Sequence, residues 1–231
     1  MSIAEPDTEP EPFGGVEKKF NLVLDKLYDR SYIINMPRRR RSDDNRAKLL
    51  DKGLNSFIQQ GYNGTGLKEV LDAVQVPKGS FYNYFKSKED FGAAVVRHYA
   101  GKFGERMKLL ADPKGDALAA LKEFFNREIA LYEACPTGCL VGNLAAELGG
   151  SMELPRQAMA EAMHGTRDAL AGALARAQQQ GRIRTDLPAE DLANFLFNAW
   201  EGSLLRMKVE GSVEPLRQCV SFALDEFFRP G

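Results

Sequence analysis

The sequence is poor in the residues that mark secreted or catalytic proteins. Its 231 residues include three cysteines, Cys135, Cys139 and Cys219, and two histidines, His98 and His164. Three cysteines do not form the disulfide framework of a small secreted domain, and they suit a reducing compartment. Neither histidine lies in a catalytic or metal-binding motif. We therefore expect a cytoplasmic protein that has no catalytic residue, metal or cofactor.

Long apolar runs and strand patterns are also missing from the sequence. No run approaches the ~18 apolar residues of a membrane span, and the acidic, proline-bearing start does not resemble a secretory signal. There is no phosphate loop or dinucleotide fingerprint, and no alternating segment is flanked by hairpin turns. These absences exclude most nucleotide-dependent enzymes, and they predict no membrane association.

Apolar residues instead recur at helical spacing. From Asp43 onward, residues such as Leu50, Leu54 and Phe57 follow one another at three- and four-residue steps. The pattern predicts an all-α protein. The expected helices start at Asp43, Leu67, Pro77 and Ser87, and then span 116–134, 138–149, 155–180, 188–210 and 213–228.

Charge divides the chain into three parts. Residues 1–35 carry a net charge of −3, residues 36–108 of +7 and residues 109–231 of −5. We interpret 1–35 as an acidic, partly disordered extension, although Met36 could also be the true start. The basic part predicts contact with a polyanion, and the alternative is a solvated basic face.

The stretch VPKGSFYNYFKSKED, residues 76–90, places four aromatic residues on one very short predicted helix. Two short helices joined by a tight turn form a helix-turn-helix, whose second helix enters the DNA major groove. We expect Phe81 and Phe85 to face inward, and Ser87 with Asp90 to cap the next helix. The predicted DNA-contacting residues of this unit are Thr65, Lys78, Gly79, Ser80, Tyr82, Asn83, Tyr84 and Lys88.

Residues 43–103, and the segment GYNGTGLKEVLDAVQVPKGSFYNYFKSKEDF above all, resemble the DNA-binding domain of TetR-family transcriptional repressors, with the helix-turn-helix at about 66–85. Gly66 departs from the Ser or Thr that often caps the second helix, and Thr65 is a candidate substitute. Residues 36–42 contain Arg38, Arg39, Arg40 and Arg41. This tract is either a solubilising run or an arm along phosphates and the minor groove.

The resemblance implies that residues 104–231 form a helical ligand-binding and dimerisation domain. The terminal segment 213–228 carries a large apolar surface that fits either a homodimer interface or a monomeric core. A two-fold protein suits a palindromic operator. Trp200, the single tryptophan, is either a core residue or a pocket wall.

Cys139 follows Pro136-Thr137-Gly138 and opens a predicted helix. A helix N-terminus favours the thiolate, whereas a buried cysteine acts as a small apolar side chain. The segments GCLVGNLAAELG and WEGSLLRMKVE resemble the ligand domain of an acrylate-responsive TetR-family repressor and, more loosely, that of an electrophile sensor. This resemblance implies a ligand site formed by Cys139, Asn143, Glu147, Trp200, Arg206 and Lys208.

The leading hypothesis is a repressor that releases a palindromic operator when it binds or reacts with a small-molecule inducer, such as an acrylate-like or other electrophile. The alternatives are a thiol-dependent enzyme acting on electrophiles and a DNA-bridging architectural protein with little sequence preference.

Overall fold

The computed structural model describes residues 41–230, with side chains from Asp44 onward. The predicted extension at 1–35 and the side chains of Arg38, Arg39, Arg40 and Arg41 lie outside the described part. Within that part the chain forms helices and no strands, which confirms the all-α prediction. The helices are α1 (Arg41–Gly64), α2 (Leu67–Val74), α3 (Lys78–Phe81), α4 (Lys88–Met107), α5 (Ala117–Ala134), α6 (Leu140–Leu148), α7 (Glu153–Gln179), α8 (Ala189–Glu210) and α9 (Glu214–Ser221).

Two short elements complete this order. A 3-10 turn, Lys108–Ala111, extends α4, and a π-helical turn, Phe222–Phe227, extends α9. The predicted helix at 213–228 is therefore an α-helix that widens into a π turn at its end. No helix within residues 41–230 is long and apolar enough to cross a membrane.

The first four helices form a compact unit around aromatic rings. Phe81 and Phe85 are buried, as predicted, and pack on Phe91 of α4 with centroid distances of 5.5 and 5.0 Å. Gln75 ends α2 in the left-handed region, with φ of 56°, which makes the tight turn into α3. Pro77 is the N-cap of α3 rather than its first helical residue. This aromatic packing holds a helix of four residues that could not be stable alone.

The start of α4 follows the predicted cap. The Ser87 hydroxyl accepts a hydrogen bond from the Asp90 N–H at 3.0 Å, and the Asp90 carboxylate accepts one from the Lys86 N–H at 2.8 Å. From this cap α4 runs to Met107 and packs along α7. Helix α4 therefore connects the N-terminal helices to the C-terminal helices without a break.

Two hydrophobic cores stabilise the described part of the protein. One core lies among α5, α8, α9 and most of α7. The other contains α1–α4 together with Leu140, Val141, Leu144 and Leu148 of α6. Helix α6 therefore packs into the core of the N-terminal helices although it lies far along the chain.

Candidate nucleic-acid interface and ligand cavity

One exposed surface brings together most of the predicted DNA-contacting residues. Lys78, Gly79 and Asn83 are exposed, and Tyr82 exposes 52% of its surface. Ser80 and Tyr84 are half-buried beside them. A Cβ placed on Gly79 would meet no heavy atom within 4 Å, so the backbone there is open to a close partner. The exposed ends of these side chains carry a cation together with hydroxyl and amide groups, as contacts to phosphates and base edges require.

Two other predicted DNA contacts lie elsewhere. Thr65 exposes 1% of its surface, and its hydroxyl donates to the Gly61 carbonyl at 2.6 Å instead of capping α2. The Lys88 ammonium donates to the Tyr62 carbonyl at 2.8 Å and lies 4.5 Å from the centre of the Tyr62 ring. Both side chains stabilise the end of α1, where Gly61 adopts a φ of 73°. The Thr65 hydroxyl and the Lys88 ammonium thus form hydrogen bonds within the protein.

The end of α1 has a further contact that sequence patterns did not indicate. The Glu147 carboxylate of α6 accepts hydrogen bonds from the backbone N–H groups of Tyr62 at 2.9 Å and Asn63 at 2.6 Å. A Cβ on Gly61 would lie 2.7 Å from the same carboxylate, so glycine is required here for close approach as well as for backbone conformation. Glu147 was predicted to bind ligand. Through these hydrogen bonds its carboxylate links α6 to the bend at the end of α1, just before the helix-turn-helix.

A cavity of about 480 Å³ lies among α4, α5, α7 and α8. This volume is ordinary for a small-molecule site. Trp200 lines the cavity and also belongs to the hydrophobic core, so both alternatives left open by the sequence describe its position. Tyr99 of α4 and Tyr132 of α5 also line it, and burial raises the pKa of both hydroxyls well above the usual value. The spacing of Tyr99 and Phe103, four residues apart on one helix, was the sequence signal that could have identified this wall.

Cys139 lines the same cavity at the N-cap of α6. Its sulfur accepts a hydrogen bond from the Gly142 N–H at 3.4 Å, and the Glu201 carboxylate lies against the same glycine. Burial, followed by the negative charge of Glu201, raises the pKa of the Cys139 thiol to about 12. Burial and the carboxylate thus shift the thiol pKa opposite to the effect of a helix N-terminus, and they favour the alternative of a buried, protonated cysteine.

The remaining predicted ligand residues lie outside the cavity lining. The Asn143 amide donates to the Thr137 carbonyl at 3.2 Å and accepts from the Lys208 ammonium at 3.2 Å. Lys208 also lies against Gly138, where a Cβ would approach its side chain to 2.8 Å. Arg206 is exposed and binds Glu210 at 2.8 Å. Asn143 and Lys208 thus support the turn before Cys139, and Arg206 belongs to the surface of α8.

This geometry predicts slow alkylation of Cys139. We expect the reaction with N-ethylmaleimide at neutral pH to be slower than that of a free cysteine, and to rise ~tenfold per pH unit as the thiolate forms. Glu201→Gln should accelerate it, because the substitution removes the negative charge that raises the thiol pKa. Mass spectrometry of peptides separates Cys139 from Cys135 and Cys219. Alkylation at neutral pH faster than that of a free cysteine would contradict the assignment.

Comparison with protein families agrees with this arrangement. The family described as "Bacterial regulatory proteins, tetR family" matches residues 49–95, and "Tetracyclin repressor-like, C-terminal domain" matches residues 117–222. The transcriptional repressor DhaR of Mycobacterium sp. (strain GP1) is 32% identical over 78% of this chain and 90% of its own. The chain belongs to the TetR family. It is therefore a helix-turn-helix transcriptional regulator, and regulators of this family bind DNA and typically form homodimers.

Two further TetR-family relatives are similar over most of their length. The transcriptional regulator AcuR of Cereibacter sphaeroides is 34% identical over 73% of this chain and 78% of its own. The crystal structure of the reduced form of E. coli NemR matches with a TM-score of 0.73 and 30% identity, covering 78% of this chain and 95% of that one. Both matches extend across the DNA-binding and C-terminal helices.

Proposed function

We propose that the protein is a ligand-responsive transcriptional repressor. A homodimer would bind a palindromic operator through α3 and release it when a small molecule fills the cavity. The observation that carries this proposal is the position of α6, which lines the cavity at Cys139 and binds the end of α1 through Glu147. A single helix thus connects the candidate ligand site to the candidate DNA-binding surface.

The DNA-binding part of the proposal rests on the exposed α3 surface. Lys78 lies on α3, and Tyr82 and Asn83 lie in the turn that follows it; buried aromatic rings hold this segment in place. A rigid scaffold with exposed polar ends suits groove recognition, because the contacts need little further ordering. We propose that the Arg38–Arg41 tract adds contacts to phosphates or the minor groove.

The dimer part rests on an apolar stripe along α8. Phe195, Leu205 and Val209 are large hydrophobic residues that remain exposed, and Phe222 is exposed at the end of α9. Asn198 and Gly202 are exposed on the same face of α8, between Phe195 and Leu205, so this face repeats at steps of three and four residues. Exposed apolar side chains on one face of a long helix indicate a protein interface. We propose a two-fold interface formed by α8 and the α9 region of each protomer.

The coupling part follows from the contacts at both ends of α6. A ligand that displaces Cys139 or Glu201 would shift α6, because Cys139 caps that helix and the Glu201 carboxylate lies against its Gly142. The shift would reach Tyr62 and Asn63 through Glu147. Since a dimer must meet both half-sites at once, a small change in the spacing of the two α3 helices lowers affinity.

The cavity does not favour the predicted acrylate-like inducer. Arg206 and Lys208, proposed to hold its carboxylate, are not among the lining residues. A protonated Cys139 is also a poor nucleophile towards other electrophiles. The enzyme hypothesis gains no support either, because His98 binds Asp51 at 2.8 Å and does not line the cavity with Cys139. We propose reversible binding of a small organic molecule as the signal.

The proposed function is tested by selecting binding sites from random DNA with the purified protein. We expect a two-fold-symmetric consensus and an affinity that falls steeply with salt. Enrichment of no consensus, with equal affinity for all sequences, would favour an architectural protein and would contradict the proposal.

A further inference from the structure

One wall of the cavity is a continuous band of aromatic rings. Neighbouring rings in the band have centroids between 4.9 and 6.4 Å apart. The band runs in the order Tyr99, Phe103, Phe124, Phe125, Trp200 and Tyr132, and all six side chains line the cavity. Aromatic faces carry partial negative charge, so a wall of this kind attracts organic cations as well as apolar groups.

Among the described lining residues, four side chains can carry a full charge, and three of them are paired. Arg97 binds Glu161 at 3.0 Å, and Lys108 binds Glu105 at 2.5 Å. The fourth is Glu201, whose described partner is the neutral thiol of Cys139. The nearby Arg106 guanidinium is held by Glu128 at 2.7 Å. The cavity therefore contains one carboxylate for which the described residues supply no cation.

Glu201 lines this cavity from α8. Its carboxylate lies against the bare Cα of Gly142, where a Cβ would come within 2.8 Å of Oε2. Burial raises the pKa of Glu201, because a charge in an apolar cavity is poorly solvated. A ligand that brings its own positive charge would remove this penalty and keep the carboxylate ionised.

We propose that the cavity binds a hydrophobic organic cation, such as an aromatic or aliphatic amine, with its charged nitrogen at Glu201 and its apolar part against the aromatic band. The inference rests on the proposed function only in taking the cavity as the inducer site. A carboxylate ligand is disfavoured, because it would meet Glu201 and an aromatic wall, and both cations of the described lining are already paired with carboxylates. The Cys139 thiol becomes a hydrogen-bond donor that orients Glu201.

Three probes of similar size and different charge test the proposal. Phenethylamine, phenethyl alcohol and phenylacetate are titrated into the full-length protein without DNA, and binding is followed by the fluorescence of Trp200, the single tryptophan, and by calorimetry. We expect phenethylamine to bind at least ~tenfold more tightly than the alcohol, because a charge-assisted hydrogen bond and a cation–π contact are added. Phenylacetate should bind most weakly.

Glu201→Gln is the decisive variant, because it keeps the shape of the side chain and removes its charge. The amine should lose its advantage, whereas the alcohol should bind within ~threefold of its affinity for the wild type. Glu190→Gln removes the same charge from the exposed first turn of α8 and serves as the matched control. Thermal melting checks that both variants remain folded.

Equal binding of amine and alcohol, preference for phenylacetate, or no binding of any probe would overturn the organic-cation assignment. An amine preference that survives Glu201→Gln would also overturn it. Operator release is measured separately. If the amine binds at Glu201 but leaves the operator bound, the proposed inducer function fails and the cation site stands.

Discussion

The double variant Leu205→Asp/Val209→Asp is expected to be a folded monomer whose operator affinity is reduced at least ~hundredfold, because the second half-site no longer binds intramolecularly. Leu205 and Val209 expose 65% and 82% of their surface, so aspartate at these positions costs the isolated subunit little. In the proposed dimer the same carboxylates would be buried against their symmetry mates. Light scattering gives the mass, and fluorescence anisotropy gives the affinity for the selected duplex.

The matched control for this variant is Asn126→Asp/Thr185→Asp, which adds the same negative charge at exposed positions outside α8. We expect it to remain dimeric and to bind DNA within a few-fold of the wild type. A Leu205→Asp/Val209→Asp protein that stays dimeric with wild-type affinity would show that the apolar stripe is not the interface.

The second large effect is expected at α3. Lys78→Ala/Tyr82→Phe should reduce operator affinity roughly thousandfold, since a dimer loses each removed contact twice and each contributes about 1 kcal/mol. Both side chains are exposed, and phenylalanine preserves the edge-on packing of Tyr82 on Phe81 at 5.4 Å. The melting temperature should therefore stay unchanged while anisotropy reports weaker binding.

Lys114→Ala is the control for this second variant, because it removes an exposed cation from the turn before α5. It should bind the duplex like the wild type. If Lys78→Ala/Tyr82→Phe also retains wild-type affinity, α3 is not the helix that contacts the operator.

Local features of the fold could be predicted from the sequence. Helical periodicity identified the helices, and the spacing of Phe81 and Phe85 placed both rings in the core. The Ser87–Asp90 cap was also predictable, because its partners lie three residues apart. These features depend on neighbours along the chain, which a single sequence displays directly.

Contacts between distant segments could not be predicted in this way. Glu147 binds the N–H of Tyr62 across 85 positions of sequence, and Lys88 reaches the Tyr62 carbonyl across 26. Lys88 was assigned to DNA for its charge at a helix N-terminus, and Glu147 was assigned to the ligand through the resemblance of its segment. In the folded chain both charged groups form hydrogen bonds with the backbone at the end of α1. No periodic pattern in the sequence indicates which backbone N–H and C=O groups still need a hydrogen-bond partner.

Contacts between distant segments also determine the environment of Cys139, which the sequence did not predict. Its position at a helix N-terminus is visible in the sequence and favours the thiolate. Its burial and its contact with Glu201 depend on how α6 and α8 pack, and these effects prevail. The sequence left Trp200 as either a core residue or a pocket wall, and only the Tyr99–Phe103 spacing gave a sequence signal for the aromatic band around it.

The central claim is that an occupied cavity and a bound operator oppose each other through α6. The most direct measurement is the affinity of the wild-type dimer for its selected duplex, with the cavity empty and with it saturated by whichever probe Trp200 fluorescence shows to bind. We predict that saturation lowers operator affinity at least ~tenfold, as expected for an allosteric coupling of more than 1 kcal/mol. Unchanged operator affinity at full occupancy of the cavity would contradict the account.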